Sequence, residues 1–146
     1  MSSSEAGTAS SKDMTELSTI DMALEVVTVP VSDVERAKRF YQSLGWRLDA
    51  DFAAGEDARL VQMTPPHSRC SIHFGKGVPG ITAMEPGSLQ RVYLAVKDID
   101  AAREDLVSRG VDVSEVQDLP WGSFVFFSDP DGNGWAVQQI SARGSA

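Results

Sequence analysis

LEVVTVPVSDVERAKRFYQSLGW, residues 24–46, lies without a gap over LQRVYLAVKDIDAAREDLVSRGV, residues 89–111, at an offset of 89 − 24 = 65. Leu24/Leu89, Val27/Val92, Val31/Val96, Asp33/Asp98, Ala37/Ala102, Ser43/Ser108 and Gly45/Gly110 are identical across the pair. Self-similarity at a fixed spacing marks an internal repeat. The same offset sets LVQMTPP, from Leu60, against VFFSDPD, from Val125, and Pro65 against Pro130. The chain therefore reads as two copies of one unit.

Each copy opens on a strand of period two, with Val27, Val29 and Val31 on one face of the first and Val92, Leu94 and Val96 on that of the second. A helix follows. In the first copy Ser32 and Glu35 have capping-box spacing, Val34, Ala37, Tyr41 and Leu44 share a face, and Gly45 suits the position after the last turn. Ile99, Ala102, Leu106 and Gly110 repeat the pattern. Three strand-like runs come next: WRLDADF, RLVQM and SIHFG in the first copy, VDVSEV, FVFF and WAVQQI in the second. Each unit is thus βαβββ, and the pair predicts an α+β fold with a cupped, eight-stranded mixed sheet around a central cavity. If the valines face the helices, Val26, Thr28 and Pro30 of one copy and Arg91, Tyr93 and Ala95 of the other line that cavity.

The remaining organisation is simple. Residues 1–21, rich in Ser, Thr, Ala and charge and without apolar period, read as a disordered extension. The folded domain spans 22–141, with units at 22–80 and 87–141, and 142–146 form a flexible tail. A length of 146 residues with 42% hydrophobic content suits one soluble domain. No apolar run approaches the roughly 18 residues of a membrane span. A net charge of −8 argues against nucleic acid, whose phosphates require a basic face. The single cysteine excludes an internal disulfide framework, and the N-terminus has no signal-peptide pattern, so the expected location is the cytoplasm.

Two local strings suggest ligands and fail on their context. Asp129, Asp131, Asn133 and Gly134 match the start of a calcium loop, but the twelfth position, where a bidentate acid belongs, is Ile140. Gly75-Lys76-Gly77-Val78-Pro79-Gly80 is a literal GxGxxG with no helix after it to hold a phosphate.

VSDVERAKRFYQSLGW, VKDIDAAREDLVSRGV and FSDPDGNGWAVQQI together resemble the vicinal oxygen chelate superfamily, the group of glyoxalase I, bleomycin-resistance proteins, fosfomycin-resistance enzymes and extradiol dioxygenases. The likeness runs from Met22 to Ile140. It implies a two-fold homodimer whose cavity walls can come from both chains. Metal-using members carry one ligand on the first strand and one on the last strand of each unit. Those positions hold Val26, Ser71, Arg91 and Ala136 here, a set without a good ligand, and Arg91 puts a fixed positive charge where the ion would sit. Two residues along the same faces stand His73 and Gln138, too few donors for a catalytic ion. No metal and no other cofactor is expected.

The candidate ligand-binding residues are Arg91, Tyr93, Trp121, Thr28, Val26, His73 and Gln138. Arg91 is either an anchor for an anion or carbonyl or the partner of an acid such as Glu25. Tyr93 is pocket wall or core, and Trp121, in DLPWGSF, belongs to a loop placed to cover a cavity. Of Phe124/Phe126 and Val125/Phe127, one pair faces the cavity and sequence leaves open which. His73 is a base, a donor to ligand or a locally bonded strand residue. His67 reads as a turn residue, and Cys70 has no neighbour that would activate a thiol. The expected function is metal-independent binding of a flat, aromatic or natural-product-like molecule, as in bleomycin resistance. The alternative is an enzyme of the same fold using Arg91, Tyr93 and His73, or an unconventional metal site. The ligand's charge stays open, because an acidic protein steers cations while Arg91 prefers anions.

Overall fold

The structure is a computed structural model that describes residues 15–141; the readings for residues 1–14 and 142–146 lie outside the described residues. Residues 15–25 form neither helix nor strand, and Leu17, Ile20, Met22 and Leu24 are exposed. Packing begins with β1 (Val26–Thr28), followed by α1 (Val34–Ser43), β2 (Arg47–Ala54), β3 (Ala58–Thr64) and β4 (Ser71–Lys76). The second unit is β5 (Val92–Ala95), α2 (Ile99–Ser108), β6 (Gln117–Leu119), β7 (Gly122–Ser128) and β8 (Gly134–Gln139). The fold is α+β, two βαβββ units in tandem, and the eight strands form two four-stranded mixed sheets ordered β1-β4-β3-β2 and β5-β8-β7-β6. In each, the first strand runs parallel to the last and the other pairings are antiparallel.

The helices begin one residue later than the capping-box spacing suggests. Asp33 and Asp98, an identical pair in the repeat, are the N-caps, their carboxylates accepting from the backbone N–H groups of Arg36 and Ala101. Ser32 instead donates its hydroxyl to Asp131 in the other unit at 2.6 Å, and Glu35 pairs with Arg59 and Arg39. Gly45 and Gly110 end the helices at φ of 86° and 85°, a left-handed conformation in which a Cβ would be strained.

VDVSEV is not a regular strand. Ser114 donates its N–H to the Phe126 carbonyl at 3.0 Å, but the Phe126 N–H goes to the Ser114 hydroxyl at 2.9 Å, so a side chain stands in for a ladder carbonyl. Regular pairing starts only at Gln117, opposite Phe124. The 65-residue offset also fails in one strand. It pairs Val61 with Phe126 and Met63 with Ser128, yet Val61 and Met63 are core residues while Phe126 is half-buried on the far side of β7, whose core residues are Val125 and Phe127. The cause is a one-residue slip before the strand: Val61, opposite Phe74, corresponds to Val125, opposite Val137, an offset of 125 − 61 = 64.

Both units share one core, and α1 holds it together. Tyr41 is fully buried with its ring 5.2 Å from Trp46, 5.8 Å from Phe74 of β4 and 6.0 Å from Trp135 of β8, so it touches both sheets. Its hydroxyl donates to Asp129 at 2.8 Å and accepts from the Trp135 indole at 3.0 Å. Asp129 also takes the N–H groups of Asp131 and Asn133, and Asn133 bridges back to the Pro30 carbonyl and the Leu89 N–H. The DPDGN turn is therefore a polar lock between the units. That role satisfies its acids internally.

Candidate functional site

With Val29, Val61, Met63, Ile72 and Phe74 of the first sheet and Val125, Phe127, Trp135 and Val137 of the second turned into the shared core, the opposite face of each sheet is left to other partners. On the first sheet Val26 pairs with Ser71 and Thr28 with His73, so these four side chains share that outer face. It is a hydrogen-bonded wall. Thr28 Oγ1 lies 2.8 Å from His73 Nε2, and Ser71 Oγ lies 2.6 Å from the hydroxyl of Thr64, which in turn donates to Asp49. Because a carboxylate only accepts, the chain has a direction: Ser71 gives its proton to Thr64 and keeps lone pairs for anything beside it. Burial lowers the pKa of His73 from its ordinary value, so the ring is neutral at pH 7.

The outer face of the second sheet is aromatic and cationic. Tyr93, Ala136 and Phe126 lie in one row and Ala95, Gln138 and Phe124 in the next. The rings of Phe124 and Phe126 are parallel within 1° at 6.1 Å, Tyr93 meets Phe124 edge-on at 6.4 Å, and the Arg91 guanidinium lies 4.3 Å above Phe126. A cavity of about 490 Å³ opens at the edge of this row, lined by Arg91, Phe126, Asp112 and Ser114 and, from the core side, by Phe127 and Trp135; Tyr93 and Phe124 lie outside it. Tyr93 is 56% exposed, which excludes it from the core. Glu25 does not pair with Arg91, nor does any other carboxylate among the described residues.

The structure thus gathers Arg91, Tyr93 and Gln138 on one sheet and Val26, Thr28 and His73 on the other. No hydrogen bond or ring contact joins the two groups within the described chain. Trp121 is in neither group's contacts: Pro120 and Trp121 are the turn residues of a tight β6–β7 hairpin, beyond Gly122 at the end of the aromatic sheet, and the indole is 64% exposed. DLPWG is a turn at the rim of this sheet. Phe124 and Phe126 are the additional members of this surface, found once β7 is in register with β8. A second cavity, about 510 Å³, lies against Leu44, Trp46, Pro65, Leu106 and Phe127 and reaches Tyr93 and Ala95 of β5.

The family's ligand positions, Val26, Ser71, Arg91 and Ala136, do not fit a divalent ion. They supply one neutral hydroxyl and one cation, against the three or more protein donors that a catalytic ion needs. Among the described residues no group of three or more His, Cys, Asp or Glu side chains converges as a metal site either.

Known proteins agree with this geometry. The profile of the Glyoxalase/Bleomycin resistance protein/Dioxygenase superfamily matches residues 23–137. The solved structure of TnmS3, an antibiotic binding protein from Streptomyces sp. CB03234, is 36% identical, superposes with a TM-score of 0.72, and covers 86% of this chain and 100% of its own. A glyoxalase/bleomycin resistance protein from the same organism is 38% identical with a TM-score of 0.66, over 80% of this chain and 100% of that one. YetH of Bacillus subtilis (strain 168), an uncharacterized protein, is 29% identical over 118 residues, 77% of this chain and 94% of YetH. A repeated βαβββ unit, an outward-facing sheet surface in each copy and this breadth of likeness lead to one conclusion: the chain belongs to the glyoxalase/bleomycin resistance protein/dioxygenase superfamily.

Proposed function

We propose that this protein binds a flat aromatic small molecule without a metal ion, in a cleft that two copies of the chain build together. The observation that carries the reading is the Arg91–Phe126–Phe124–Tyr93 pile on one sheet, in which a buried Phe124 backs a half-buried Phe126 and an exposed Tyr93. Such a surface rewards a planar partner, and the likeness to an antibiotic binding protein supports a natural-product-like one. A second chain supplies what one chain lacks. Its hydrogen-bonding wall of Val26, Thr28, Ser71 and His73 can close over the aromatic wall of the first, with β1 of one copy beside β5 of the other, since both are edge strands. Phe52, Tyr93 and Trp121, each more than half exposed, would then be covered. No helix among the described residues is long and apolar enough to cross a membrane, and we place the dimer in the cytoplasm.

The test is a thermal-shift screen of aromatic metabolites and antibiotics, with light scattering for assembly. A ligand present at about 100 times its dissociation constant adds roughly 2.7 kcal/mol. Arg91→Ala and Trp121→Ala should each weaken a hit by about 1–3 kcal/mol with little loss of stability, because both side chains lie at the surface. Full-strength binding by both variants, or a strict monomer at micromolar concentration, would refute the reading. One contact favours a second reading: a neutral His73 bonded to the Thr28 hydroxyl has the geometry of a general base on its substrate's oxygen. Chemical change of a hit on incubation would establish an enzyme.

A further inference from the structure

We infer that the occupant of this cleft carries an acidic group, a carboxylate or a comparably ionised oxygen, which sits on the edge of the Arg91 guanidinium while its ring system lies against Phe126 and the exposed Tyr93. The inference rests on the flat-aromatic reading and adds the sign of the ligand's charge, which composition leaves open. A guanidinium is planar and keeps its N–H donors in the plane. With its Cζ 4.3 Å from the centre of the Phe126 ring, Arg91 is held over that ring, and among the described residues its N–H donors meet no acceptor. Arg36, Arg39, Arg47, Arg59, Arg103 and Arg109 each meet a carboxylate. Among the described residues Arg91 and Arg69 meet none, and of these two it is Arg91 that lines a cavity, of about 490 Å³ and large enough for a ring system. A fork of donors without an acid, beside an aromatic floor, matches an aromatic acid in both parts.

The net charge of −8 does not reverse this. Charges farther than about 8 Å are screened at physiological salt, whereas a bound group touches Arg91 directly. Asp131, Asp51, Asp49, Glu35, Glu115 and Asp105 are already engaged by basic side chains. Asp112 alone shares the cavity as an acid. A cationic ligand would have to stack beside Arg91 with like charges together.

The experiment compares 2-naphthoate with 2-naphthamide, the same rings with and without the charge, by calorimetry on the full chain at pH 7.5. Naphthoate should bind about tenfold tighter or more, as expected for a charge-assisted hydrogen bond. Arg91→Gln should equalise the two probes, Arg91→Lys should keep part of the preference, and Asp112→Asn should strengthen naphthoate. Equal binding of both probes to the native chain, or a preference that survives Arg91→Gln, overturns the inference and leaves the flat-aromatic reading standing. Failure of both probes to bind overturns the two together.

Discussion

Tyr41 shows how one hydroxyl can serve two sheets. It gives its proton to Asp129, 5% exposed, and receives one from Trp135, and burial together with the Asp129 charge holds its own pKa far above the usual tyrosine value. Tyr41→Phe keeps the ring packing but leaves a buried carboxylate short of a donor and an indole N–H without its acceptor. A loss of about 2–3 kcal/mol in urea unfolding is expected. His73 gives a pH signature with a definite sign. Its pKa is lowered by burial, so the folded state binds fewer protons than the unfolded one near the ordinary value of 6.5. The stability it contributes is fully present above that value and is lost as pH falls through the lowered folded pKa. Melting temperature should therefore fall between pH 7.5 and 5, and His73→Gln should flatten this part of the profile. Asp51, held low by hydrogen bonds from Arg59 and Lys38, acts in a separate window, below the unfolded carboxylate value near 4.

At the level of elements, sequence reading succeeded where one chain segment determines its own structure. Helix faces, helix-ending glycines and the strand-to-helix order of each unit are local patterns, and Val34, Ala37, Tyr41 and Leu44 are all buried as their spacing requires. It failed where the answer depends on a partner strand. The β3 and β7 strings align at offset 65, yet the core residues Val61 and Val125 are 64 apart, and that one-residue slip turns the matched residues to opposite faces. Phe124 and Phe126 could not be assigned to a sheet face for the same reason. Ser114, standing in for a carbonyl, removed a strand that alternation had suggested. The caps offer a direct check on the correction at the helix starts. Asp33→Ala and Asp98→Ala should each cost about 1 kcal/mol. Ser32→Ala should leave the cap intact and cost instead its exposed link to Asp131, a smaller loss in the same denaturant titration.

The whole molecule is organised by a core that lies between two sheets and is pinned by α1 and the DPDGN lock. That arrangement sends the two candidate walls to different sheets of the same polypeptide. If a cleft takes one wall from each chain, the two copies can repair one another. An Arg91→Ala chain has a damaged aromatic wall and a sound polar wall; a His73→Ala chain has the reverse. Mixed and refolded together, they form hybrid dimers in which both lesions fall in one cleft and the other cleft is native. Binding should return in the mixture although neither parent binds at full strength, and a calorimetric titration would count the rescued sites. A cleft made within one chain could never show this, because every chain in the mixture is damaged. In a cell making both variants, the two defective alleles would complement each other, and ligand binding lost with either would be regained with the pair.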